Sequence, residues 1–239
     1  MGEQLAIADE VMVPDASQLI TEDDTPVDNW ASEKQQRLLT SCLYSNLPTQ
    51  TSQTFIAAAN VGIYHTVNQP AIVPDVFLSF GVQVPADWWQ KQNRCYLVWN
   101  FGKPPELVLE IVSNRVGGEL TDKFDDYQQM RVSYYAVYDP NLQLGDRPLR
   151  LFELRGAQYE ELPGFWLPQI NLGLTLWQGE LEGRQDTWLR WCDAAGRVLP
   201  TGDEQAAAER QRADQERQRA ERLAALLRAQ GIDPDQLPD

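Results

Sequence analysis

Glu106-Leu107-Val108-Leu109-Glu110-Ile111-Val112-Ser113 decides how this chain reads. Its aliphatic content, bounded by Pro104-Pro105 and Asn114, predicts a strand over 106–112. Residues two apart on a strand share a face, so Glu106, Val108 and Glu110 point one way and Leu107, Leu109 and Ile111 the other. A carboxylate in so apolar a strand is costly to bury unless a cation, a donor or a proton accompanies it. Glu110 therefore requires a partner.

The neighbouring sequence offers two kinds. Val73-Pro74-Asp75-Val76 lies near the start of another predicted strand, 72–80, and carries Asp75 into or beside the sheet. Two such carboxylates need a positive ion between them. Mg2+ suits, being a hard cation that takes one or two carboxylates, keeps waters and binds phosphate oxygens. It would polarise a phosphoryl oxygen and lower the pKa of an attacking water. Lys123 follows Glu110 by thirteen residues, in the first turns of a helix predicted over 120–130 on which Leu120, Phe124 and Tyr127 share a face. An ammonium there would orient the water and offset charge on the phosphorane. The alternative for a lysine among Asp122, Asp125 and Asp126 is a solvated ion pair with Asp126.

Outward from this centre, residues 29 to about 47 read as a helix with Trp30, Leu38, Leu39, Cys42 and Leu43 on one side and Pro48 ending it. Strands are expected at 54–67, 72–80, 95–99, 106–112, 134–138, 149–154 and 158–162, with 188–192 pairing 197–199 across Ala195-Gly196. The fold class is mixed α/β (α+β). The eight tryptophans read as core and edge packing rather than a base-stacking platform, since none falls in an aromatic RNA-binding motif. Tyr127 reads as packing its helix on the sheet, and His65 as a satisfied structural residue. From 203 to 230 the composition shifts to Ala, Glu, Gln and Arg, with ERQRAD at 209–214 echoed at 216–221. The heptad seam is weak, because Glu209 and Glu216 occupy the position partnering Ala206 and Ala213. A long solvated helix stopped by Gly231 and Pro234 is expected. The organisation is thus an acidic arm, 1–28, a globular domain, 29–202, and a charged helical tail, 203–239.

Net charge is −15, which looks wrong for a nucleic-acid partner. The distribution of that charge weakens the objection. Residues 1–28 hold eight acids and no Lys or Arg, whereas 29–202 carry fourteen basic against eighteen acidic residues. Three scattered cysteines and a single histidine exclude a zinc cluster of the usual spacing, so any metal here needs oxygen ligands. No stretch is apolar enough to span a membrane, and a cytoplasmic protein without a membrane partner is expected.

Pro74-Asp75, Leu109-Glu110-Ile111-Val112-Ser113, Asp122-Lys123, Tyr127 and Tyr135-Ala136-Val137-Tyr138-Asp139-Pro140, in this order, resemble the Uma family of restriction endonucleases, within the PD-(D/E)xK nuclease superfamily. The resemblance covers about residues 29–180. The tail ending in Gly231-Ile232-Asp233-Pro234 also looks like one often appended to the family. The resemblance implies a restriction-endonuclease-like core, a mixed sheet flanked by helices, with Asp75 and Glu110 as ligands of Mg2+ or Mn2+. The superfamily's usual lysine, two residues past the acid, is Val112 here, and the family pattern takes its lysine from the next helix, at Lys123. Glu33 matches a recurrent family glutamate and joins the candidate metal ligands, although a plain exposed helix glutamate fits it as well. The chain departs from the family pattern at 114–118 and at Arg131-Val132, where Gly-Val is usual.

The implied activity is metal-dependent hydrolysis of nucleic-acid phosphodiesters through Asp75, Glu110 and Lys123, with double-stranded DNA the expected substrate. A homodimer and a protein partner bound through 203–230 are open possibilities. The alternative is a catalytically silent nuclease-fold module acting through that helical tail.

Overall fold

The computed structural model describes residues 29–67, 69–113 and 118–230. The arm expected over 1–28, residues 114–117 of the departure from the family pattern and the helix stop expected at Gly231 and Pro234 lie outside the described residues. Asn29 caps helix α1 (Trp30–Gln50), its side-chain oxygen accepting from the N–H groups of Ala31 at 2.9 Å and Ser32 at 3.0 Å. Pro48 does not end this helix, contrary to the expectation from sequence. It sits in the last turn, where it removes one helical hydrogen bond, and the Thr51 N–H still closes onto the Leu47 carbonyl at 2.9 Å.

The strand expected over 54–67 is two, β1 (Phe55–Ala58) and β2 (Ile63–Tyr64), interrupted where Asn60 turns to φ 54°. β3 (Val76–Phe80) follows. The strand expected at 95–99 shrinks to β4 (Tyr96–Leu97), which pairs parallel with β2 and runs into a one-turn helix, α2 (Val98–Phe101). β5 (Leu107–Ile111), α3 (Asp122–Met130) and β6 (Tyr134–Tyr138) form a strand-helix-strand crossover, followed by β7 (Leu149–Arg155) and β8 (Gln158–Glu161). The six longer of these strands make one sheet in the order β1-β3-β5-β6-β7-β8. Within this sheet only β5 and β6 run parallel, as a helical crossover requires. This is the mixed-sheet, helix-flanked class that the resemblance implies.

The pleat of β5 divides the core as its sequence suggests. Leu107, Leu109 and Ile111 pack with Leu39 and Leu43 of α1, whereas Val108 joins Tyr127 and Met130 of α3 on the opposite face. The α1 face is closed by a second sheet that the sequence pattern did not reveal, β9 (Trp166–Leu167), β10 (Leu172–Leu181) and β11 (Arg184–Cys192), in the order β11-β10-β9. Residues 188–192 belong to the long β10–β11 hairpin, and the expected pairing with 197–199 is present as well, as an antiparallel bridge of Cys192 with Val198 and the Leu199 N–H donating to the Trp191 carbonyl at 2.8 Å. Gln35 holds this sheet to α1 through both the N–H and the carbonyl of Leu189, at 3.0 and 2.8 Å. The buried Trp191 donates to the Leu39 carbonyl at 2.9 Å.

Core packing accounts for some tryptophans, Trp188 and Trp191 among them, but Trp30, Trp88 and Trp89 are exposed. Nor is His65 satisfied as expected: its Nδ1 is buried without a hydrogen-bond partner among the described residues. Arg131 takes the left-handed cap after α3, with φ 67°, at the position where the family pattern has glycine. The strain, about 1 kcal/mol, is offset by its guanidinium donating to the Gly156 carbonyl at 2.6 Å.

The tail is helix α4 (Gly202–Ala229), with none of its residues buried. Thr201 and Glu204 form a capping box at its start, and the buried Arg190 grips Glu204 at 2.7 Å while lying over the Trp177 ring. Thr201→Ala is expected to lower global stability by about 1 kcal/mol, read as an earlier urea midpoint. An unchanged midpoint would show that α4 unfolds independently of the core.

Candidate functional site

The antiparallel register of β3 and β5 pairs Val76 with Leu109 and Phe77 with Val108, so one step further along sets Asp75 against Glu110. Directly opposed residues project to the same face of the sheet, here the α3 face. α3 starts one crossover loop after β5, which lays its first turns over this point. Lys123, in the first turn, and Tyr127, one turn later, both reach the carboxylate.

Glu110 is 1% exposed. Lys123 Nζ lies 2.7 Å from its Oε2, and the Tyr127 hydroxyl donates to Oε1 at 2.7 Å. Lys123 thus meets Glu110 rather than forming the Asp126 pair that its local sequence also allowed. Tyr127 does more than pack: its ring is buried on the sheet and its hydroxyl orients the carboxylate. Asp75 is half-buried. Its Oδ2 accepts the Ile111 N–H at 2.5 Å, and its Oδ1 accepts from Gln36 Nε2 at 2.7 Å. Gln36 is in turn steadied by Asn60, whose amide donates to Gln36 Oε1 at 3.0 Å.

Gln36, not Glu33, is the α1 residue that reaches the carboxylates. Glu33 is exposed and accepts from Arg37, one turn on, at 2.9 Å. The structure brings Asp75, Glu110 and Lys123 together and leaves Glu33 apart. Gln36 left a faint trace in the sequence. The buried side of α1 opens with Ser32, Gln35 and Gln36 before turning apolar at Leu39 and Leu43, and a polar start to an apolar stripe marks groups that need buried partners.

Burial pushes the Glu110 carboxyl up to about 8, with the Asp75 charge adding to the rise and the Lys123 ammonium opposing it. Burial also works against the Lys123 ammonium, but the charge of Glu110 and its hydrogen bond outweigh it, and the lysine holds its proton more tightly than usual. One fully formed ion pair cannot raise both members. The carboxyl, closed off from solvent, follows burial; the lysine side chain, 30% exposed, stays cationic.

Two carboxylates on opposed strand positions are a hard-oxygen donor set. Among the described residues no group of three or more His, Cys, Asp and Glu side chains converges, so a divalent ion here would rest on these two carboxylates and be completed by water and substrate. The residues present fit such an ion.

The sequence profile of the Uma2 family, described as "Putative restriction endonuclease", matches residues 20–181. The chain belongs to the Uma2 family. The match spans α1, the whole six-stranded sheet and α3, and so includes every residue of the cluster around Glu110. No curated protein matches the chain. Among the described residues of this Uma2 member, no helix is long and apolar enough to cross a membrane.

Proposed function

We propose that this Uma2 chain is a divalent-metal-dependent endonuclease that hydrolyses phosphodiester bonds of DNA. The observation that carries the reading is the lysine. Lys123 comes from a separate helix to stand 2.7 Å from a buried strand carboxylate that itself faces Asp75. Membership of a family described as restriction endonucleases supports nucleic acid as the substrate class.

In this reading Asp75 and Glu110 would hold Mg2+ or Mn2+. When bound, the ion supplies Lewis acidity toward a phosphoryl oxygen and a more acidic water. Gln36 and the Ile111 N–H fix Asp75, and Tyr127 orients Glu110, which would give up its proton when the ion binds. Lys123 keeps its proton, orients the attacking water and balances negative charge on the phosphorane.

The test is supercoiled plasmid incubated with wild type in Mg2+ or Mn2+, with chelator and with Asp75→Ala as controls. Nicking or linearisation that chelator and Asp75→Ala both remove is expected. A wild type as inert as the variant, with no heat of Mg2+ or Mn2+ binding by calorimetry, would sink the enzyme reading. It would favour a binding module, for which the exposed length of α4 offers the surface.

A further inference from the structure

Beside the cluster, on the same face of the sheet, lies a groove of about 480 Å³ that the chemistry above does not use. Phe77 and Tyr96 form its floor, Phe101 and Pro85 its sides, and Trp88 and Trp89 its rim. The two rim indoles meet edge to face at 6.3 Å and are 55% and 79% exposed. Adjacent exposed tryptophans over an apolar groove mark a binding surface rather than a core.

Three observations bear on what occupies it. Phe77, in the groove floor, is two residues from Asp75 and on the same face of the sheet, a separation of roughly 7 Å at strand rise, within the reach of one nucleotide strand. Ala58 and Val61, in its wall, bracket Asn60, which steadies Gln36 against Asp75. Finally, residues 84–94 carry Lys91 and Arg94 against the single acid Asp87, inside a domain that is acidic overall. Arg94 stands at the groove itself, its Nε donating to the Trp89 carbonyl at 3.1 Å. Aromatic faces interleaved with cations suit a polyanion with flat rings, and an apolar peptide would gain nothing from the cations.

We infer that the Trp88–Trp89 groove binds an unpaired nucleobase of the same nucleic-acid strand that the carboxylate site addresses, so that the preferred substrate is single-stranded or locally unpaired. A base within a duplex has both faces covered by its neighbours, and only an extruded or unpaired one can enter between aromatic walls. Asn93, beside the rim, is held by Asp87, its amide donating to Asp87 Oδ1 at 2.7 Å, which fixes the loop that carries the two indoles. The inference rests on the nuclease reading for its substrate, but its measurement does not require cleavage.

Anisotropy of fluorescein-labelled oligonucleotides, in chelator and at fixed salt, tests it with the full chain. A single strand and a duplex with a central mismatch are expected to bind more tightly than the fully paired duplex. Trp88→Ala and Trp89→Ala should each weaken single-strand binding roughly 5- to 150-fold, the equivalent of the ~1–3 kcal/mol of stacking one base. Trp88→Phe and Trp89→Phe should retain most of the affinity, and unchanged melting would show the folds intact. Alanine variants that bind like wild type, a paired duplex bound as tightly as the single strand, or no binding by wild type would each overturn the inference. A wild type that binds as expected here yet never cuts in Mg2+ or Mn2+ overturns the nuclease reading alone.

Discussion

Glutamine at position 110 is expected to abolish cleavage and, in metal-free protein, to raise the melting temperature at alkaline pH. The two outcomes have one cause. Burial pushes the Glu110 carboxyl from 4.5 up to about 8, so the folded chain keeps a proton that the unfolded chain releases. The stability linked to that proton is complete below about 4.5 and is lost as pH climbs through about 8. Glutamine matches the shape and never ionises, which removes the slope. Wild type and Glu110→Gln should therefore melt together at the acid end, with the variant ahead at the alkaline end by about 1–2 kcal/mol, or roughly 2–8 °C for a chain of this size. Lys123 is not stranded by the change, because its side chain is already 30% exposed and can rehydrate. Melting curves in chelator across this range, beside plasmid cleavage in Mg2+, measure both effects. A variant that melts below wild type under alkaline conditions would mean that the ionised Glu110–Lys123 pair supports the fold, and the case for a carboxylate kept at a cost for function would collapse.

That tension made the centre of the site legible in the sequence. Asp75 and Glu110 stand out because each is a charge set among apolar strand residues, a misfit that no neighbour in sequence resolves. Gln36 carries no charge and raises no such alarm, although it binds Asp75 directly. Glu33 is a candidate only through its match to a recurrent family glutamate, and Arg37 four residues on engages it, as the alternative of a plain exposed helix glutamate allows.

The fold divides along the same line. The run 134–138 and the helix after 120 are encoded by their own periodicity and were readable. The β10–β11 hairpin was not, because its decisive interactions are remote. Its turn places Glu182 at φ 51° and Gly183 at φ 77°, and a glutamate there is a poor local signal. Arg37, at 2.5 Å, and Lys34, both on α1, hold the Glu182 carboxylate and compensate for the turn. Gly179 looks like a strand breaker, but the Trp177 indole lies where its Cβ would be, so the absent side chain makes room for the ring.

Lys123→Ala is expected to reduce cleavage by about 10²–10³-fold, the scale of losing one preorganised charge beside the reacting phosphate. Its effect on stability should depend on pH in a way that separates a chemical role from a structural one. Lys123 opposes the rise of the Glu110 carboxyl, so without it the proton on Glu110 is held still more firmly. The variant should match wild type where Glu110 is protonated in both and fall behind it under alkaline conditions. Adding Glu110→Gln to Lys123→Ala should erase that difference, because the charge needing compensation is gone; the coupling of the two changes reports the pair itself. Lys123→Arg restores a cation with a different shape, a planar fork in place of a compact ammonium. Recovery of stability without recovery of cleavage would show that position and chemistry of the amine matter beyond neutralising Glu110. Cleavage by Lys123→Ala at the wild-type rate would reduce the lysine to a counter-ion, leaving the carboxylates without the group that distinguishes a catalytic site from an ordinary buried ion pair.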